Sequence, residues 1–353
     1  MEHIEPSSTS QPFINEVLSP LNLDCYSCNF GPVGIAELEQ SLGSPAVIVE
    51  QNRQFEIIPE LKHAKFFGFF DRGSVQIPED IALISLPFMA AFDGTSGVFY
   101  NGGPQKILYE TGITGGQMAI KLAAEKFCSA EPTQTVLDIL NQANSAIAHE
   151  HQLAGLNLSF GGTLGGAVGA AVKLSSPSVK IVQFGDGVVI WELKDGSTGM
   201  MGNQTRIHEI EMLATIASLM ERLAQEYPGA ALPFLRSRMW EVFGPFLLEK
   251  RNERINNLRA GGYGFLCGQE SFSQAITTTE LPISELKTLI LASDGLVPFE
   301  ETGDPELLAH NTIKRFNAGG FESVIAHQRE HEQSKFHSSH VSNAEAVGVA
   351  IKF

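Results

Sequence analysis

A chain of 353 residues, 43% of them hydrophobic, is long enough to bury a sizeable core and short for three domains. Its 24 basic residues against 40 acidic ones leave a net charge of -16, which excludes the basic footprint of a nucleic-acid binder and disfavours an anionic membrane surface. Phosphate chemistry on so acidic a chain needs help, and metal cations are the obvious source.

The N-terminal MEHIEPSSTSQPF has no basic n-region and no apolar h-region, so it does not read as a secretory signal, and a cytoplasmic protein is expected. Residues 1–45 read as an irregular leader rich in Ser, Pro and Asn, and residues 46–353 as one folded domain. Cys25 and Cys28 have a zinc-like spacing, but no second CxxC and no nearby HxxxH accompanies them, so they read as ordinary thiols. DIALIS (80–85) and FMAAFD (88–93) are apolar runs of strand length, paired as a hairpin around Leu86-Pro87. GGQMAIKLAAEKFCSA (115–130) and PTQTVLDILNQANSAIAHEHQLA (132–154) have apolar residues at helical spacing, with Pro132 near a start.

Leu153 to Val172 carries no charge, and Gly161, Gly165 and Gly169 make overlapping GxxxG spacings. With six glycines and no flanking basic anchors, the segment is a poor helix, and residues 158–174 read as a buried strand, not a membrane span. VKIVQFGDGVVIWELKDG (179–196) reads as a hairpin turning at Asp186, and Asp195-Gly196 as a plain exposed turn. Residues 208–258 read as two helices, KTLILASDG (287–295) as a strand, 304–316 and 319–336 as helices, and AEAVGVAIKF (344–353) as a closing strand. Strands that mostly pair by hairpins, with helices in blocks, make an α+β layered domain and not a doubly wound one.

Acidic residues recur where apolar runs end. The 80–93 hairpin brings Glu79, Asp80 and Asp93 to one open end, within several ångströms of each other. Bare carboxylates so close raise each other's pKa, and a divalent cation held by hard oxygens removes that penalty. Gly94, lacking Cβ, can turn its carbonyl toward an ion. Asp294-Gly295, at another strand end, supplies a fourth carboxylate, and Asp186 a fifth. The spacing of an EF-hand calcium loop is absent.

The order of these motifs resembles that of the metal-dependent type 2C (PPM-type) serine/threonine protein phosphatases. That family runs NED, FDGxxG, GTT, GDS, SDG and DNxT. This chain runs Pro78-Glu79-Asp80, Phe92-Asp93-Gly94-Thr95-Ser96-Gly97, Gly161-Gly162-Thr163, Gly185-Asp186-Gly187, Ser293-Asp294-Gly295 and Ser342-Asn343-Ala344-Glu345. The resemblance spans roughly residues 60–353. It implies a four-layer α/β/β/α sandwich of two antiparallel sheets flanked by helices. It also implies two ions, Mn²⁺ or Mg²⁺, bridged by Asp93, with Glu79 and the Gly94 carbonyl completing one shell and Asp294 serving the other ion. Metal ions roughly 3.5–4 Å apart lower the pKa of a bridging water and clamp phosphoryl oxygens, so hydrolysis of phosphoserine and phosphothreonine in a phosphoprotein proceeds without a phospho-enzyme.

The departures are as informative. The family's C-terminal metal-ligating Asp falls on Ser342. The His that often follows FDG is Thr95, and the Asp four residues beyond SDG is Pro298, with Glu300 and Glu301 after it. The phosphate-gripping Arg position is Val75, which leaves Arg72 as the displaced candidate. Two functions are therefore expected to compete: a two-metal phosphatase with one weakened ion site, and a weak or inactive phosphatase-like module that binds or regulates a partner.

Overall fold

The computed structural model describes residues 47–50, 58–73, 77–95, 97–100, 103–106, 112–202, 204–259, 261–297, 302–335 and 344–353. The expected leader, 1–45, and the Cys25–Cys28 pair lie outside them.

One sheet has six strands in the order β1 (Val47–Glu50), β3 (Asp80–Ser85), β4 (Phe88–Thr95), β7 (Gly166–Leu174), β8 (Ser178–Phe184) and β11 (Thr277–Pro282). The other has five, in the order β10 (Thr198–Gly202), β9 (Val188–Leu193), β12 (Leu286–Ala292), β13 (Ala346–Lys352) and β2 (Lys65–Asp71). A two-stranded ribbon, β5 (Gly97–Tyr100) and β6 (Gly103–Lys106), stands apart. Pairing is antiparallel except where β1 runs parallel to β3.

The strands of β3 explain the layering. Ile81 and Leu83 point into a core with helices α1 (Gly115–Cys128) and α2 (Val136–Leu153), whereas Ala82 and Ile84 point into a core shared with the second sheet. Side chains alternate across a strand, so a strand covered on both faces reads as one unbroken apolar run. The second sheet repeats this. Leu289 and Leu291 face the first sheet, while Ile290 and Ala292 face helix α5 (Pro305–Lys335), a pair of helical segments joined across a kink at Gly319-Gly320. The result is the expected α/β/β/α sandwich. Thr114 and Thr135 start α1 and α2 with capping boxes closed by Gln117 and Asp138, which places the second helix start after Pro132.

Helices α3 (Arg206–Glu226) and α4 (Leu232–Arg254) fill the 208–258 stretch as an antiparallel pair around Leu223, Leu235, Met239 and Leu247. No helix among the described residues is long and apolar enough to cross a membrane. The uncharged 153–172 segment is a turn and a 3₁₀ segment, Gly161–Thr163, followed by β7, so the strand starts at Gly166 and not at residue 158.

The expected hairpin at 179–196 is not formed. β8 lies in the first sheet, between β7 and β11, and β9 in the second, so Gly185-Asp186-Gly187 carries the chain from one sheet to the other. A Cβ on Gly187 would lie 2.2 Å from the Gly169 carbonyl carbon, an approach only glycine allows. Gln183 Nε2 donates to the Gly185 and Gly187 carbonyls at 2.9 and 3.0 Å and fixes the crossing. Asp195 sits in the expected turn between β9 and β10, where its carboxylate accepts from the Ser197 N–H at 2.9 Å.

His151 is fully buried at the end of α2, 2.9 Å from the Gly165 carbonyl through Nε2. Burial drives its pKa down to about 4, against the upward pull of that carbonyl. The unfolded chain therefore binds a proton near pH 6.5 that the folded chain refuses until about pH 4. Stability is expected to fall across that window as pH drops, by roughly 3 kcal/mol from this group alone. Urea unfolding at pH 7.5 and pH 5 checks it: His151→Gln should lose less stability on acidification than the wild type.

Candidate metal centre at the end of the sandwich

Four strand ends build the site. β3 opens on Asp80 and β4 closes on Asp93-Gly94-Thr95, and the register sets Asp80 directly opposite Asp93. In the second sheet, β12 ends at Ala292, paired with Gly348, and Ser293-Asp294 follow. Ser293 locks this end to β13: its N–H donates to the Val347 carbonyl, and its Oγ accepts the Val347 N–H, both at 3.0 Å. That lock sets Glu345, the residue before β13, at the same end as Asp294.

The two sheets meet here through Glu345. Its Oε2 accepts the Glu79 N–H at 2.8 Å and its Oε1 the Asp80 N–H at 3.2 Å. Helix α1 holds the same segment from the other side. Gln117 Nε2 donates to the Pro78 carbonyl at 3.1 Å, and the Thr114 hydroxyl donates to the Glu79 carboxylate. Glu79 is thus turned toward the helix N-terminus, where the dipole favours an anion. Gly94 has a packing reason: its N–H donates to the Glu79 carbonyl at 2.7 Å, and a Cβ there would lie 2.4 Å from that oxygen.

Asp80 is only 3% exposed, and its Oδ2 is buried without a hydrogen-bond partner. Burial pushes the Asp80 pKa well above the usual carboxylate range, and the charges of Glu345 and Asp294 push the same way, partly offset by hydrogen bonds from Ser293 and Asp93. Asp93 keeps some exposed surface as a residue, yet its carboxyl is walled in, and burial raises it first, followed by the charges of Asp80, Asp294 and Glu345. Asp80, Asp93, Asp294 and Glu345 therefore form one electrostatic unit drawn from both sheets.

The other expected residues fall less centrally. The charges that chiefly act on Asp80 and Asp93 do not include Asp186, which registers instead at the buried Tyr263, beside Arg251. Arg72 is exposed, one residue past the pairing of Asp71 with Ala346, which puts it at the rim on the Glu345 side. Thr95 ends β4 opposite Gly166. Val75, Pro298, Glu300, Glu301, Ser342 and Asn343 lie outside the described residues. Sequence reasoning missed Glu345 as a member of the cluster. It obeys the rule that singled out Asp93 and Asp294, being an acid at the end of an apolar run, but it lies in a motif read for its first position.

Among the described residues no three His, Cys, Asp or Glu side chains are placed to hold a metal ion as they stand. The donor set nonetheless fits a hard divalent cation by its chemistry: carboxylate oxygens, mutual repulsion, and an orphaned buried oxygen on Asp80.

No protein-family model matches the chain, and no curated protein matches it. Among solved structures, the Mycobacterium tuberculosis serine/threonine phosphatase PstP/Ppp overlaps with a TM-score of 0.47 and 16% identity, over 82% of this chain and 98% of that one. Staphylococcus aureus serine/threonine phosphatase Stp1 overlaps at 0.47 and 14%, over 82% and 94%. The catalytic domain of PstP in complex with two manganese ions overlaps at 0.45 and 16%, over 82% and 97%. The chain resembles the PPM-type phosphatases in motif order and layering, and the fold itself rests on the registers described above.

A carboxyl whose folded pKa is raised holds its proton where the unfolded chain has lost it, so its stabilising effect is present below about pH 3.8 and lost as pH rises through the folded value. The metal-free cluster is therefore expected to strain the fold at neutral pH. In EDTA at pH 7.5, Asp80→Asn should raise the thermal midpoint, by about 2–4 °C per kcal/mol relieved. Differential scanning calorimetry checks this, and a lowered midpoint contradicts it.

Proposed function

We propose that the chain is a divalent-cation-dependent phosphomonoester hydrolase that removes phosphate from phosphoserine and phosphothreonine in proteins. The observation that carries this reading is the convergence of Asp80 and Asp93 from one sheet with Asp294 and Glu345 from the other, a set of like charges around the buried Asp80 that a cation would neutralise. The motif order of the sequence supports it. The acidic surface, with a net charge of -16, argues against a nucleic-acid substrate. A cytoplasmic setting is part of this proposal.

In this reading Asp93 and Asp294 would hold two ions, Mn²⁺ or Mg²⁺, with Glu79, Asp80 and the Gly94 carbonyl contributing from the β3–β4 side and Asp186 as a further candidate. Bound there, divalent cations supply neutralisation of phosphoryl oxygens and activation of a water. The chain's own residues do the rest. Relief of their repulsion favours the ionised forms of Asp80 and Asp93, which couples ligand charge to the state of the site. The α1 N-terminus orients Glu79, and the exposed Arg72 would supply a guanidinium to a phosphate anion arriving from solvent. The competing reading, a weak or inactive binding module, draws on the neutral Ser342 and on side chains that close no three-ligand shell among the described residues.

Hydrolysis of p-nitrophenyl phosphate and of a phosphothreonine peptide across a Mn²⁺ titration separates the two. Asp93→Asn removes charge without volume and should lower kcat/KM by about a thousandfold or more, on the scale of losing a group that acts in the transition state. Circular dichroism of the variant should be unchanged, and Asp195→Asn, a turn residue, should keep full activity. Wild-type turnover in Asp93→Asn under saturating Mn²⁺ overturns the two-metal reading, and no turnover in the wild type at any concentration favours the binding module.

A further inference from the structure

Glu345 is held from its own side as firmly as it holds the opposite sheet. The residue before it, Ala344, has its N–H bonded to Glu332 Oε1 at 3.4 Å and its carbonyl to the Arg329 guanidinium at 2.7 Å. Arg329 is only 13% exposed along its side chain, and it also grips Glu332 at 2.7 Å and Asp71 at 3.0 Å. Helix α5 and the end of β2 thus anchor the backbone from which Glu345 reaches over to Glu79 and Asp80. A side chain so anchored does not swing away to relieve repulsion. Both oxygens of Glu345 are used, one for each backbone N–H, and a neutral amide would offer only one acceptor, so the place is built for a carboxylate and brings its charge beside Asp80. The orphaned, buried Oδ2 of Asp80 lies in the same cluster and points independently to a missing cationic partner.

We propose that Glu345 is the carboxylate that completes this centre: a positioning residue that pins Glu79 and Asp80 across the two sheets and supplies the negative charge that neutral Ser342 does not. This rests on the proposed cation-dependent site and deepens it by naming the residue that sets cation affinity. Ser342 then marks a transfer of charge by three positions along the chain, and not a weakened ion site.

The test is Mn²⁺ binding, read from the free-ion signal in electron paramagnetic resonance at pH 7.5, with metal-free thermal midpoints beside it. Glu345→Gln should bind Mn²⁺ at least fivefold more weakly than the wild type. Its metal-free midpoint is read beside the affinity, and the variant should still fold, because the amide keeps one of the two acceptor oxygens. Glu345→Asp, which keeps the charge on a shorter stem, should bind more tightly than Glu345→Gln. A loss of affinity below fivefold, the reverse order of the two variants, or a Glu345→Gln protein that does not fold without metal overturns the inference, the last by making Glu345 a purely structural clasp. Failure of the wild type itself to bind Mn²⁺ at millimolar concentration overturns the proposed function with it, whereas tight wild-type binding matched by Glu345→Gln overturns the role of Glu345 alone.

Discussion

Asp80 and Asp93 stand opposite one another in an antiparallel pair, and like charges in that relation repel. Much of the surrounding structure holds this repulsion in place. The β3–β4 hairpin fixes the register, α1 grips Pro78 and Glu79, and Glu345 fastens the start of β3 to the second sheet. Asp294 and Glu345 then add charge from the other sheet without an arginine or lysine among the groups that chiefly act on Asp80 and Asp93. Elsewhere the chain pairs its buried acids: Glu192, 7% exposed, meets Lys287 at 2.7 Å and also binds Thr288 and Asn317. Keeping a buried carboxylate such as Asp80 beside other acids is costly, and a divalent cation would supply the opposite sign.

The site depends on the sandwich as a whole. Its acids come from strands far apart in sequence, Glu79 and Glu345 being 266 positions apart, and only stacking of the two sheets brings them together. The apolar core between the sheets, from Ala82 and Ile84 on one side to Leu289 and Val349 on the other, sets their separation. The outer helices hold the strand ends: α1 through its capping turn, and α5 through Arg329 and Glu332 at Ala344.

Local pattern made part of this legible. The β3–β4 hairpin could be read because two apolar runs flank a short Leu-Pro turn, and the register of Asp80 with Asp93 follows from it. Asp294 at the end of β12 was legible for the same reason. The partition of strands between sheets was not. Alternation and turn residues at 179–196 look the same whether the chain folds back or crosses to another sheet, and only the packing of Gly187 on Gly169 decides it. β2 escaped notice because both its faces are buried: Phe66 and Phe69 enter different cores, so KFFGFFD shows no period. β11, an edge strand with largely exposed residues, offers no apolar signal. Glu345 could be seen as an acid at a strand end, but its bonds to Glu79 and Asp80 are tertiary and leave no trace in spacing.

The central claim is that carboxylates of the two sheets share a cation. Anomalous diffraction at the manganese edge from crystals grown with Mn²⁺ tests it most directly. The account predicts a peak between Asp93 and Asp294, within coordinating distance of both and close to Asp80. Clear density for all four carboxylates with no anomalous peak among them, at Mn²⁺ concentrations that saturate binding in solution, would contradict it.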